Sequence, residues 1–202
     1  MGSSTGSADA RTDGETIAAS LHEPARFAEL FDRHYDGIWS YLARRVGQAL
    51  AEELASETFV RAFAQRESYD SAYQDARPWL YRIATNLLRK HARSEERRRR
   101  AYARAVERDE SPDGLEGVAE RVDAAAGART VAVALSRLTP ADRDTLLLFA
   151  LTDLDYAGIA IATGVPVGTV RSRLHRVRRH LQSALLSDTG GPGHATTKRS
   201  RI

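Results

Sequence analysis

The 202-residue chain contains no cysteine, so neither disulfides nor thiolate metal sites are available to it. Its six histidines are scattered without ligand spacing, and no metal or other cofactor is expected. Long apolar runs are also missing. The longest, Leu146 to Leu151, has six residues, far short of the roughly 20 that a membrane-spanning helix needs. No basic start leads into an apolar stretch at the N-terminus, so "MGSSTGSADARTDGET" does not read as a secretory signal. The expectation is a cytoplasmic protein without membrane insertion. No run alternates apolar and polar residues, which argues against a sheet and leaves an all-α fold.

What is present is a soluble composition, 42% hydrophobic and 28% charged, too apolar for a wholly disordered chain. The net charge is only +3, but it is unevenly spread. Arg89 to Arg104 holds eight Lys/Arg against two acids, and Gly164 to Leu181 holds five arginines against none. Two separated basic segments suggest two contacts with one polyanion.

Apolar spacing predicts two small helical domains. Phe27, Leu30, Phe31, Ile38, Leu42 and Val46 recur at helical intervals, as do Leu54, Phe59, Ala62 and Phe63. Trp79, Leu80, Ile83, Leu87 and Leu88 open a third long helix, with Pro78 near its first turn. These form a unit over 22–104, preceded by a flexible tail over 1–21. A Gly/Pro-containing acidic stretch over 105–129 reads as a flexible linker. A second unit over 130–186 follows, with Val131, Leu135 and Leu138 on one helix and Thr139–Pro140 capping the next. A short helix ends at Gly164, and residues 187–202 read as a second tail.

At 100° per residue, Val170, Leu174, Val177 and Leu181 fall on one seam of the last helix, with Ser172, His175, Arg176 and Arg179 opposite. Arg171 lies on one flank and Arg173 on the other. A short helix, a glycine-containing turn and a basic amphipathic helix have the spacing of a helix-turn-helix, whose second helix enters the major groove. Arg171 and Arg176 are placed to reach base edges and Arg179 to reach phosphate, while the amides of Gly168 and Thr169 could bind a phosphate at the helix N-terminus. Charge alone would equally describe a solvated helix face; the preceding helix, the turn and the absence of acids favour DNA.

The stretch "LSRLTPADRDTLLLFALTDLDYAGIAIATGVPVGTVRSRLHRVRRHLQSAL" resembles the promoter −35 reading domain of bacterial extracytoplasmic-function sigma factors, through "PxGTVxSRLxRxRxxL". "AEELASETFVRAF" resembles the helix by which these factors bind RNA polymerase, and "RPWLYRIATNLLRKHARSEERR" the adjoining −10 reading helix. The match covers about 24–104 and 130–186. It implies polymerase contacts at Glu53, Glu57, Thr58, Phe59 and Arg61, and −10 contacts at Asn86, Arg89, Lys90, Arg93 and Arg97. It implies as partners core RNA polymerase, through the β′ clamp helices and β subunit, and promoter DNA, with an anti-sigma factor as an optional third. Two positions depart from the family. Gly158 stands where Glu is frequent, which should weaken the short helix, and Lys90 stands where many members have Asp.

Other constellations carry less. Glu52, Glu53 and Glu57 are close on one helix but have no histidine or aspartate nearby, so a solvated face outweighs acid/base chemistry. Trp79, Tyr81 and Asn86 among arginines could stack on and read an unpaired base, although core packing is the stronger reading of Trp79. No catalytic constellation supports an enzyme. Two functions remain: a sigma factor that lends polymerase its promoter specificity and aids melting, or a free-standing helix-turn-helix regulator whose N-terminal unit senses or dimerises.

Overall fold

The computed structural model describes residues 11–106 and 133–189, all helix and connecting turns. The expected linker lies almost wholly outside these residues. The chain begins with α1 (Asp13–His22), closed by a capping box: Thr12 Oγ1 accepts from the Glu15 amide at 3.2 Å while the Glu15 carboxylate accepts from the Thr12 amide at 2.8 Å. This corrects the expectation of a flexible tail to residue 21. One large apolar side chain, Ile17, anchors the helix in the core. The rest of its buried side is small or polar, Gly14, Thr16 and Ser20, which leaves no apolar periodicity to see. A Cβ at Gly14 would stand 2.6 Å from the Ser71 carbonyl oxygen and 2.7 Å from that of Tyr73, so glycine is required where α1 meets the 69–76 loop.

Helices α2 (Phe27–Val46) and α3 (Gln48–Gln65) share Gly47 as a hinge, whose φ of 83° is one that side-chain-bearing residues avoid. The 30-residue α4 (Arg77–Val106) crosses both. Leu30, Ile38, Tyr41, Leu42, Leu54, Phe59, Leu80 and Leu87 form the common core. Phe27, Phe31, Tyr35, Phe59 and Phe63 line its α2–α3 side, with ring centroids 4.7–6.1 Å apart.

In the second unit, residues 133–136 are helical and α5 (Pro140–Leu151) starts as expected, with Thr139 Oγ1 accepting from the Asp142 amide at 3.2 Å and Pro140 at the first position. Asp155 caps α6 (Tyr156–Thr163) through the Gly158 amide at 2.7 Å, and Gly164 ends it in the left-handed conformation at φ 70°. The last helix, α7 (Val167–Thr189), runs three residues past the boundary expected for the second tail.

The two units pack on each other, and one continuous apolar cluster passes from Leu80, Tyr81 and Ala84 to Leu154, Ile159 and Val170. Helix α6 lies against α4. Gly158 eases this approach: a Cβ there would stand 3.3 Å from Pro78 Cγ and 3.2 Å from Leu154 Cδ2, close enough that these side chains would have to yield by a few tenths of an ångström. The glycine that sequence reading treats as a weakness of α6 lies where α6 packs on the start of α4.

Candidate nucleic-acid interface

Helix α7 is positioned by its seam. Val170 and Val177 are fully buried and Leu174 is 3% exposed, which turns Arg171, Ser172, His175, Arg176 and Arg179 outward. The turn before it is closed by the Gly164 and Val165 amides, both donating to the Ala160 carbonyl. His180 Nε2 lies 3.1 Å from the Ala134 carbonyl and ties the far end of the helix to the 133–136 turn. The short α6, the glycine turn and the basic α7 are therefore a helix-turn-helix in three dimensions.

Three details differ from expectation. Arg176 is held by a two-point ion pair, Nη2 to Asp142 Oδ1 at 2.6 Å and Nε to Oδ2 at 3.1 Å, although its side chain stays 63% exposed. The hydrogen bonds from Arg176 hold the Asp142 carboxyl below its usual range, against the opposing effect of burial. Arg173 is half-buried and reaches Thr145 Oγ1 at 3.4 Å, so it faces its own unit. The Thr169 amide donates to the Pro166 carbonyl at 2.9 Å, which removes it as a phosphate donor; Gly168 remains exposed at the helix N-terminus.

Helix α4 presents Asn86, Lys90, Arg93 and Arg97 to solvent along one side. Arg89 does not join them. Its Nε donates to Asp144 Oδ2 on α5 at 2.8 Å. Tyr81 is buried edge-on against Tyr41, which removes it as a stacking platform for a base. Trp79 is half-buried against Tyr69, with centroids 4.9 Å apart. The loop leading into α4 is pinned by Asp13 of α1, whose carboxylate accepts from Arg33, His34 Nε2 (2.8 Å) and the Ala76 amide (2.9 Å). Burial alone would raise the pKa of this aspartate, but the hydrogen bonds from His34, Ala76 and Arg33 hold it at about 2.

On α3, Glu53 is exposed, and Glu57 and Arg61 are half-exposed and paired at 2.6 Å. Thr58 and Phe59 are corrections: Thr58 is fully buried with its hydroxyl donating to the Leu54 carbonyl, and Phe59 is 4% exposed in the aromatic core. Neither can touch a partner directly. Val60, 63% exposed beside Glu57 and Arg61, was not picked out from the sequence, because in a helical pattern a single valine passes for core.

Comparison with known proteins agrees with this architecture. Residues 30–98 match the family Sigma-70 region 2, and residues 128–181 match Sigma-70, region 4. The ECF RNA polymerase sigma factor SigL of Mycobacterium tuberculosis is 31% identical over 169 residues, covering 83% of this chain and 93% of its own. The chain belongs to the extracytoplasmic-function sigma factors. SigW of Bacillus subtilis is a further relative, 31% identical and covering 79% of this chain and 88% of its own. In fold, the sigma factor is similar to CnrH, solved in complex with the cytosolic domain of CnrY, with a TM-score of 0.59 at 21% identity, covering 87% of this chain and 98% of that one. It is also similar to the sigma factor RpoE of Bartonella quintana, solved with the anti-sigma factor NepR, with a TM-score of 0.52 at 23% identity, covering 80% and 98%.

As a sigma factor the chain is not an enzyme. It binds core RNA polymerase and directs promoter-specific initiation, and the free-standing regulator is not favoured. Among the described residues, no helix is long and apolar enough to cross a membrane. The sequence reading missed Asp142, Asp144 and Arg45, which hold or flank the arginines of both basic helices. Asp142, in the first turn of α5, looks like an ordinary complement to its dipole, and nothing local tells where its side chain or that of Asp144 goes.

Proposed function

We propose that the sigma factor acts in the cytoplasm and divides its contacts among three helices. Helix α7 enters the major groove of the −35 element, with Arg171 and Arg176 on base edges and Arg179 on phosphate; Ser172 and His175 complete the reading side. Helix α4 meets the −10 element through Asn86, Lys90, Arg93 and Arg97 as the strands separate. The outer side of α3, Glu53, Glu57, Val60 and Arg61, meets polymerase.

The observation that carries this reading is the α7 surface: a helix-turn-helix whose second helix buries Val170, Leu174 and Val177 while holding four arginines and a histidine in solvent. Burying unpaired arginines would cost several kcal/mol, so this side is arranged for a polyanion. Transcription by purified core polymerase from a randomised promoter library, with and without the protein, tests it. A selected consensus with −35 and −10 blocks is expected. A consensus unchanged by both Arg171→Ala and Arg176→Ala would refute the groove assignment, and unimpaired polymerase binding by Glu57→Lys would refute the α3 assignment.

A further inference from the structure

Asp144 is a buried acid of the second unit whose partners lie on the first. Its carboxylate, 3% exposed, accepts from Arg45 Nη2 and from Arg89 Nε, the latter at 2.8 Å. The Arg45 guanidinium is also held by its own unit. Arg45 Nη1 donates to the Tyr41 hydroxyl at 2.6 Å, that hydroxyl lies 3.2 Å from Thr85 Oγ1, and the Arg45 guanidinium stands 5.4 Å from the Tyr41 ring centroid. Tyr41 and Thr85 are fully buried. Two cations thus converge on one oxyanion, one of them, Arg45, on a framework that does not depend on the acid for its shape. Carboxylate and phosphate make the same forked contacts with guanidinium groups. Arg89 lies on α4, one residue from the exposed Lys90.

A second contact keeps the acid in this position. Gly158 occupies the third position of α6, where a glutamate would complete a capping box with Asp155. The chain forgoes that and seats α6 against Pro78 instead.

We propose that Arg45 and Arg89 form a phosphodiester-binding site which Asp144 fills while the two units are closed, and which the DNA backbone takes when they part. The inference rests on the reading of α4 as the −10 element's partner. Charge decides that an exchange, and not a simple opening, is involved. Removing Asp144 without replacement leaves two partly buried guanidinium groups facing each other, whereas an incoming phosphate restores the neutralising anion. The contact is also releasable, because desolvation offsets most of what a buried ion pair gains. The free chain then competes against its own acid, and its apparent affinity for DNA is lowered by the fraction that is open.

The test uses the full chain. Anisotropy of a short fluorescein-labelled single-stranded DNA of mixed sequence measures binding. Since the chain has no cysteine, a dye pair on Glu67→Cys and Gln182→Cys reports the separation of the units. Asp144→Asn is expected to raise DNA affinity about tenfold and to lengthen the dye separation, and Arg45→Ala added to it should abolish the gain. Gly158→Glu provides an independent opening that leaves both arginines and Asp144 intact. Because it adds negative charge, a gain in affinity from it cannot be a general charge effect, and it remains informative if Asp144→Asn fails to fold. An unchanged separation in both variants overturns the closure; a lengthened separation with unchanged affinity, or a gain that survives Arg45→Ala, overturns the phosphate site. If the wild-type chain still drives transcription with core polymerase in those cases, the sigma-factor function stands and the inference alone falls. If it initiates nowhere in the promoter library, the −10 assignment falls and takes the inference with it.

Discussion

Helices α4 and α7 each bury an apolar seam and carry arginines on the opposite side, yet they are held in different ways. The polar and turn contacts that position α7 come from its own unit: the Gly164 turn and the Asp142 carboxylate on Arg176, beside the Val170–Leu174–Val177 seam. Helix α4 depends on distant parts of the chain. Its leading loop is pinned by Asp13 of α1, and its Arg89 is tied by Asp144 of the other unit. A basic helix whose polar contacts come from its neighbours in sequence keeps its exposed charge whatever the arrangement of the units. A helix whose polar side is completed by another unit changes its exposed charge with the arrangement of the units.

The comparison can be broken most severely at Asp13. Asp13→Ala removes one acid from among Arg33, His34 and the Ala76 amide, and breaking such a buried cluster from one side should cost about 4 kcal/mol of unfolding free energy, read by urea titration. Acid should weaken the same cluster, by a smaller amount. The folded pKa, about 2, lies below the ordinary 3.8, so this stabilisation is fully present above 3.8 and is lost as pH falls through about 2. A melting temperature already falling between pH 7 and 5 in wild type, and not in Asp13→Ala, would contradict it.

On the α7 side, Leu174→Ala empties the seam and should cost about 3 kcal/mol. The loss should appear in −35 duplex binding before it appears in polymerase binding, as measured by gel shift and by pull-down. Arg176→Ala should cost about 2 kcal/mol of duplex affinity and relax the preference at one or two −35 positions, since removing it also frees Asp142 to repel the backbone. The smallest effect is expected from Arg179→Ala, which should weaken all duplexes alike and lower the salt slope by about one.

Much of α7 was legible in advance because its information is local. The 100° spacing of Val170, Leu174 and Val177, the Thr139–Pro140 cap and the Gly164 stop each act within a turn or two of chain. The same reasoning failed at Thr58 and Phe59, where a motif that marks a polymerase-binding helix does not say which of its residues face the core. It failed again at α1, whose buried side is mostly small and polar and held by a glycine contact and one aspartate.

The sequence by itself therefore determined an all-α chain, the starts of α4 and α5, the end of α6, the seam of α7 and the family. Each follows from periodicity, capping chemistry or a motif contained in one stretch. Tertiary structure alone decided the partners of the acids. Asp144 meets Arg45 and Arg89 across 99 and 55 residues of chain, and Asp13 meets the Ala76 amide across 63. The pairing of a buried carboxylate is set by which guanidinium or amide lies within about 3 Å when the helices pack, and no helical period encodes a separation of that length.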